Sequence, residues 1–141
     1  MANYFPAGVN GGSVIKELPL FDVIAGSVYW VDSGTGRAGA KGNFNSPVAS
    51  IQEAIDKCVD NNGDYVMVYP GHTETLTAQI NVDCAGVHVV GLGHANQRPQ
   101  LQGNGTIDVM DVSAANVTIA NLIFPSPDTD AQTADINVDA A

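Results

Sequence analysis

The chain is poor in positive charge. Five Lys and Arg stand against fifteen Asp and Glu in 141 residues, a formal net charge of −10, and no Lys or Arg follows Arg98. The basic footprint that nucleic acid requires is missing, which argues against direct DNA or RNA binding. No apolar run approaches the roughly 18 residues of a membrane span. The opening MANYFPAGVNGG lacks the basic-then-apolar order of a signal peptide, so neither a membrane partner nor a leader is expected. Two cysteines, Cys58 and Cys84, have no metal-ligand spacing and read by default as buried thiols, with a disulfide as the alternative. Aromatic residues are 6% of the chain, and after Tyr69 the only Phe, Tyr or Trp is Phe124. That is poor equipment for stacking sugars along an outer groove.

What is present favours strands and tight turns: Val, Ile and Thr, punctuated by Asn, Asp and Gly. Hydrophobic residues are 45% and charged residues 14%, a composition that folds. One domain of this length buries roughly two-thirds of its unfolded surface. The acidity suits solubility, or a partner with a basic patch.

Three segments are expected. Residues 1–27 form an arm whose apolar side chains follow no sustained period; it docks either on a neighbouring molecule or back on its own domain. Residues 28–63 hold a lead strand (VYWV), a DSGTG turn, a loop and the one convincing helix. Ser46-Pro47 can start that helix, or Ser50 and Glu53 can start it later as a capping box. Ile51, Ala54, Ile55, Cys58 and Val59 make one apolar stripe, and Asn61-Asn62-Gly63 is the stop, giving at most about four turns. From residue 64 to 141, short strands alternate with turns: YVMVY, QINVD, VHVVGL, TIDVMDV, NVTIANLIF and DINVD.

A repeat underlies this last segment. VDCAGVHVVGL (82–92) overlays VSAANVTIANL (112–122) at an offset of 30, and VDAA (138–141) overlays VSAA (112–115) at 26. Gly91 and Asn121 share one corner, where Asn tolerates a left-handed backbone as Gly does. Coils of this length suit a parallel β-helix, in which each rung stacks on the next and Val87, Val89, Val117 and Ile119 form inward ladders. An antiparallel sandwich is the alternative, with Asn104-Gly105 as its one hairpin candidate. The last copy stops partway through a rung, which predicts a longer parent chain or a partner over that end.

The order of strand, DSGTG turn, SPVASIQEAID helix, NGD, VMVYPG and rungs resembles the start of pectin-lyase-like right-handed parallel β-helix proteins. That resemblance implies a capping helix over Pro47 to Asn61 and a first core strand over Tyr65 to Pro70. PGHTETLTAQI, GVHVVGLGHANQRPQL and ANVTIANLIFPSPDTDAQTADINV are also similar to a group of tailed-bacteriophage virion proteins. This narrower resemblance implies a structural role, capsid decoration among such roles.

The chemistry offers several candidates. His72 and Glu74 are two apart, so an extended chain puts them on one face. No nucleophile or third orienting group stands at defined spacing, which favours a corner or interface role over acid/base catalysis. Asp128 and Asp130 are the best carboxylate pair for a lyase or hydrolase, in a PSPDTD stretch that equally makes Asx-turns. Arg98 before Pro99 reads as a surface contact. Asp108 and Asp111 read as outward structural residues, His88 as outward on a strand, and His94 as a turn residue. Asp32-Ser33-Gly34 reads as a turn.

The sequence therefore leads to a mainly β fold: a short right-handed parallel β-helix with an N-terminal capping α-helix and an extended arm. The function expected is that of a phage virion structural protein that decorates and stabilises the capsid. A tailspike-like or polysaccharide-active β-helix fragment is the alternative. Phe5, Leu18, Leu20 and Phe21 are the candidate partner-binding residues; no catalytic residue, metal or cofactor is expected. The partners implied are the major capsid protein or other virion subunits and further copies of the chain, a trimer among the arrangements. The location implied is the virion, assembled in the host cytoplasm.

Overall fold

The structure, a computed structural model, describes residues 26–104, 106–125 and 134–139, with the backbone of two short strands before them. Those strands, β1 (Val14–Ile15) and β2 (Leu18–Pro19), form an antiparallel pair of their own. Then come β3 (Val28–Val31), α1 (Ile51–Ile55), β4 (Tyr65–Val68), β5 (Thr73–Leu76), β6 (Ile80–Val82) and β7 (His88–Gly91). After a 3-10 turn at Ala95–Gln97 follow β8 (Gln100–Gly103), β9 (Met110–Val112), β10 (Thr118–Ala120) and β11 (Ile136–Val138). Strands dominate, and no helix among the described residues is long and apolar enough to cross a membrane.

β3 to β11 make three parallel sheets: β10-β7-β4-β3, β11-β9-β6 and β5-β8. Parallel neighbours cannot be joined by a hairpin, so the chain must travel away and return. It does so in a fixed cycle. β4, β5 and β6 each enter a different sheet; β7, β8 and β9 then add to the same three in the same order. β10 adds to β7, Ile123 bridges Gln100 beside β8, and β11 adds to β9. The antiparallel sandwich is not observed: every ladder in these three sheets is parallel.

The ladder registers coincide with the sequence overlay. Val89 lies beside Ile119, 30 residues on, and Val112 beside Val138, 26 residues on. Other circuits differ in length: Tyr65 pairs with His88 after 23 residues and Thr73 with Gln100 after 27. β3 also pairs with β4 in full register, so the lead strand belongs to the first sheet, and the boundary at residue 64 falls between hydrogen-bonded neighbours.

Inward positions alternate along each strand. Val66, Val68, Leu76, Ile80, Val82, Val89, Leu101, Met110 and Val112 are all buried in one core. The turns between sheets require special backbones. Asn61, Gly86 and Asn116 all have φ between 58° and 76°. They stack, with Asn61 N donating to Ala85 O and Gly86 N to Ala115 O. At the Gly91/Asn121 corner only Asn121 is left-handed, at φ 59°. Gly91 is glycine for lack of space, because a Cβ there would run into Asn121 O and Pro99. The Asn121 amide donates to Gly91 O at 2.8 Å and Gly93 O at 3.0 Å, closing the corner.

The helix is much shorter than predicted. Pro47 does not open it: Val48 instead bridges Val31 and donates its N–H to Trp30 O, prolonging the sheet. Ser50 is the N-cap, accepting from Glu53 N at 3.3 Å. The Glu53 carboxylate accepts from Ala49 N and Gly39 N. After Ile55, amides a longer helix would need are taken elsewhere. Val59 N donates to Asp64 Oδ2 at 2.8 Å and Asn61 N to Ala85 O. Val59, assigned to the apolar stripe, is 60% exposed. Ile51, Ala54 and Ile55 are fully buried and close one end of the core. Each isoleucine contributes about 1.5–3 kcal/mol through that burial.

Candidate functional site

His72 follows the Pro70-Gly71 turn, where Gly71 has φ 78°. Alternation along β5 sends His72, Glu74 and Leu76 inward and leaves Thr73 and Thr75 exposed. His72 is 0% exposed, with Nε2 3.2 Å from Glu74 Oε2. That same Glu74 oxygen accepts from Ile51 N, the first amide of α1, at 3.3 Å. An acid/base group must reach a substrate proton, and an imidazole with no exposed surface has no path to one. The pair instead ties the start of α1 to β5.

The other ionisable candidates are scattered, and most have local partners. Asp32 Oδ1 accepts from Gly34 N at 3.0 Å, and Oδ2 from Thr35 Oγ1 at 2.6 Å. Its pKa is lowered: partial burial acts to raise it, but bonds from Thr35 and Gly34 and the charge of His72 outweigh that. Asp108 accepts from Ala134 N and Asp111 from the Asn137 amide, so both hold the last circuit in place. Arg98 Nε donates to Ala95 O across the 3-10 turn. His88 stacks on Tyr65, its ladder neighbour, at 4.4 Å. His94 is exposed and precedes the 3-10 turn. Among the described residues no three His, Cys, Asp or Glu gather as a metal site would need. Asp128, Asp130, Phe5, Leu20 and Phe21 lie outside the described residues, and only the backbone of Leu18 is described.

Cys58 and Cys84 are free thiols that line one open cleft with Asp56, Asp60 and Asp83. Burial and the neighbouring Asp64 charge push Cys58 up to about 12. Burial, then the charges of Asp60 and Asp64, raise Cys84 as well.

Sequence reasoning passed over Asp64. It is buried, and its carboxylate accepts from Ser27 N and the Asn62 amide at 2.6 Å each, and from Val59 N at 2.8 Å. One side chain thus fixes the root of β3, the end of the helical segment and the turn between them. Gly26 is pressed so close to Asp64 and Asn62 that no Cβ fits. An acid between Asn-Gly and an apolar strand was the only signal.

The sequence also gave no warning of a contrast between the outer faces. The β5–β8 sheet presents Thr73 beside Gln100 and Thr75 beside Gln102. The β6–β9–β11 sheet presents Asn81, Asp111 and Asn137 in one row. The first sheet presents Val28, Tyr65, His88 and Thr118 in one row and Trp30, Met67, Val90 and Ala120 in the next. Beside that second row, the rings of Trp30, Phe44 and Tyr69 meet at centroid distances of 5.1–5.6 Å. Tyr69 Oη donates to Phe44 O at 3.2 Å, and Phe44 is 59% exposed. Two outer faces are polar; the third is apolar and aromatic.

No family model, curated protein or solved structure matches the chain.

Proposed function

We propose that this chain is a structural protein of a tailed-phage virion that decorates and stabilises the capsid by binding its surface. Its fold in this reading is a short right-handed parallel β-helix, capped by α1 and preceded by an extended arm. The cyclic order of strands and their parallel, in-register pairing support the solenoid, since stacked repeats contact only their neighbours. The virion setting rests on the sequence resemblance carried by PGHTET, GLGHANQRP and DAQTADIN.

The observation that carries a binding role is the apolar outer face of the first sheet, opposed to two polar ones. Aromatic and aliphatic side chains gathered on one face are the usual anchors of a protein interface. The inward burial of His72 and the commitment of Glu74 to α1 favour binding over catalysis. The partners are the major capsid protein or other virion subunits, and further copies of this chain. Phe5, Leu18, Leu20 and Phe21 supply apolar anchors on the arm, and bridging neighbouring subunits adds buried area against internal pressure.

Co-sedimentation with phage heads that lack the protein tests this. Saturable binding at a fixed ratio to the major capsid protein is expected, and deleting residues 2–24 should abolish it with the sheets intact by circular dichroism. Failure to pellet with heads, together with release of reducing or unsaturated sugar ends from host polysaccharide, overturns the reading in favour of a polysaccharide-active protein.

A further inference from the structure

We infer that the apolar outer face of the first sheet is the seat for the N-terminal segment, residues 14–25, of a second copy of this chain. The inference rests on the arm being the docking element, and it names a sibling subunit as one of its acceptors. No carboxylate stands in the two rows of this face, Val28, Tyr65, His88, Thr118 and Trp30, Met67, Val90, Ala120. A chain of net charge −10 repels its own copies over most of its surface, and this neutral strip is where two copies can meet. Trp30, Met67 and Val90 do not belong to the core cluster, so a contact over them leaves the core undisturbed.

The segment has the matching chemistry. Within residues 14–24 stand Val14, Ile15, Leu18, Leu20, Phe21, Val23 and Ile24. Among the described residues its β1–β2 pair joins none of the three sheets. Its root is fixed: Ser27 is held by Asp64 beside β3, an edge strand of the same sheet. The twelve residues 14–25 extend to about 40 Å. Four strands at their usual spacing span only about 15 Å. The segment therefore has ample reach to a neighbouring molecule. Donor segment and acceptor face are different surfaces, so the contact is heterologous and closes into a ring or runs on as a filament.

The test is complementation between two full-solenoid variants. Met67→Lys/Val90→Lys keeps the arm and spoils the face; deletion of residues 2–24 keeps the face and removes the arm. Both substitutions point outward, and circular dichroism with urea unfolding checks that each variant is folded. Sedimentation velocity over a wide concentration range should show the parent chain as an oligomer. Each variant alone should self-associate at least about tenfold more weakly, and the two mixed should form a one-to-one complex. An oligomer that persists in Met67→Lys/Val90→Lys overturns the inference, as does a folded pair that fails to combine. A parent chain that is monomeric throughout also overturns it. Head binding reads out separately. If complementation fails while heads are still bound, the virion role stands without this contact. If it succeeds while heads are not bound, the contact stands without that role.

Discussion

Val82, Val112 and Val138 occupy one inward column of β6, β9 and β11, yet they are 0%, 5% and 65% exposed. The residue and the face are the same, and Val82 and Val138 each pair with Val112 from opposite edges; the layer that covers them differs. At the α1 end, Ile51 and Ile55 of the helix and Val48 of the loop before it close over the core and are buried with Val31. At the β11 end, Ile136 and Val138 border an apolar depression of about 370 Å³ with Val117 and Ile119. Alternation tells a side chain which way to point. Burial is conferred by whatever covers it next, and apolar contact is worth nothing until water is displaced.

The largest expected effect breaks this comparison most directly. Ile51→Ala should destabilise the fold by about 3 kcal/mol, whereas Val138→Ala should change it by less than about 0.5 kcal/mol. Urea unfolding measures both, and equal losses would mean the two ends are covered alike. Next, Asp64→Asn should lose about 2 kcal/mol, because an amide cannot accept from three donors as the carboxylate does. It should also speed proteolytic cleavage next to Ser27; an unchanged digest would show that the root is held by something else. Ser50→Ala removes the N-cap acceptor and should lose about 1 kcal/mol. Ser50→Asp should restore most of it in the same unfolding assay.

The smallest effect concerns the cleft below the helix and appears only in alkali. The Cys58 thiol is raised from an ordinary value of 9.0 to about 12. The folded state therefore keeps its proton where the unfolded chain releases it. The resulting stability is complete below about pH 9 and is lost as pH rises toward 12. Unfolding at pH 8 and 10.5 should show a fall in the parent chain that is shallower in Cys58→Ser. Ellman's reagent at pH 8 should label both folded cysteines far more slowly than the unfolded chain; equal rates would place the thiols in open solvent.

Register was legible in the sequence because small residues and corners repeat with the apolar ones, so the offsets of 30 and 26 could be read directly. The length of α1 was not, because Asp64 and Ala85 take its would-be amides from outside the helical segment. β8 was missed: Leu101 alone between two glutamines gives no alternation to count. NVTIANLIF looked like one strand but turns at left-handed Asn121, so Ile119 and Ile123 serve different sheets. The apolar outer face was hidden for the opposite reason. VYWV and YVMV are apolar on both sides, and a continuous apolar run does not reveal which side faces water. His72 and Glu74 were visible as a pair, but their burial depends on the preceding turn, which sets the phase of β5.

The clamp at Asp64 also has a mechanical meaning. A pull that reaches Ser27 meets the Asp64 carboxylate and the Tyr65 amide, which grip the backbone there. The load then passes along β3, whose four residues are paired side by side with β4. Tension along that direction strains the whole ladder at once, whereas tension across it would open the bonds one by one like a zipper. The root of the arm is built as a shear joint, the geometry that best resists a tether pulled along its own length.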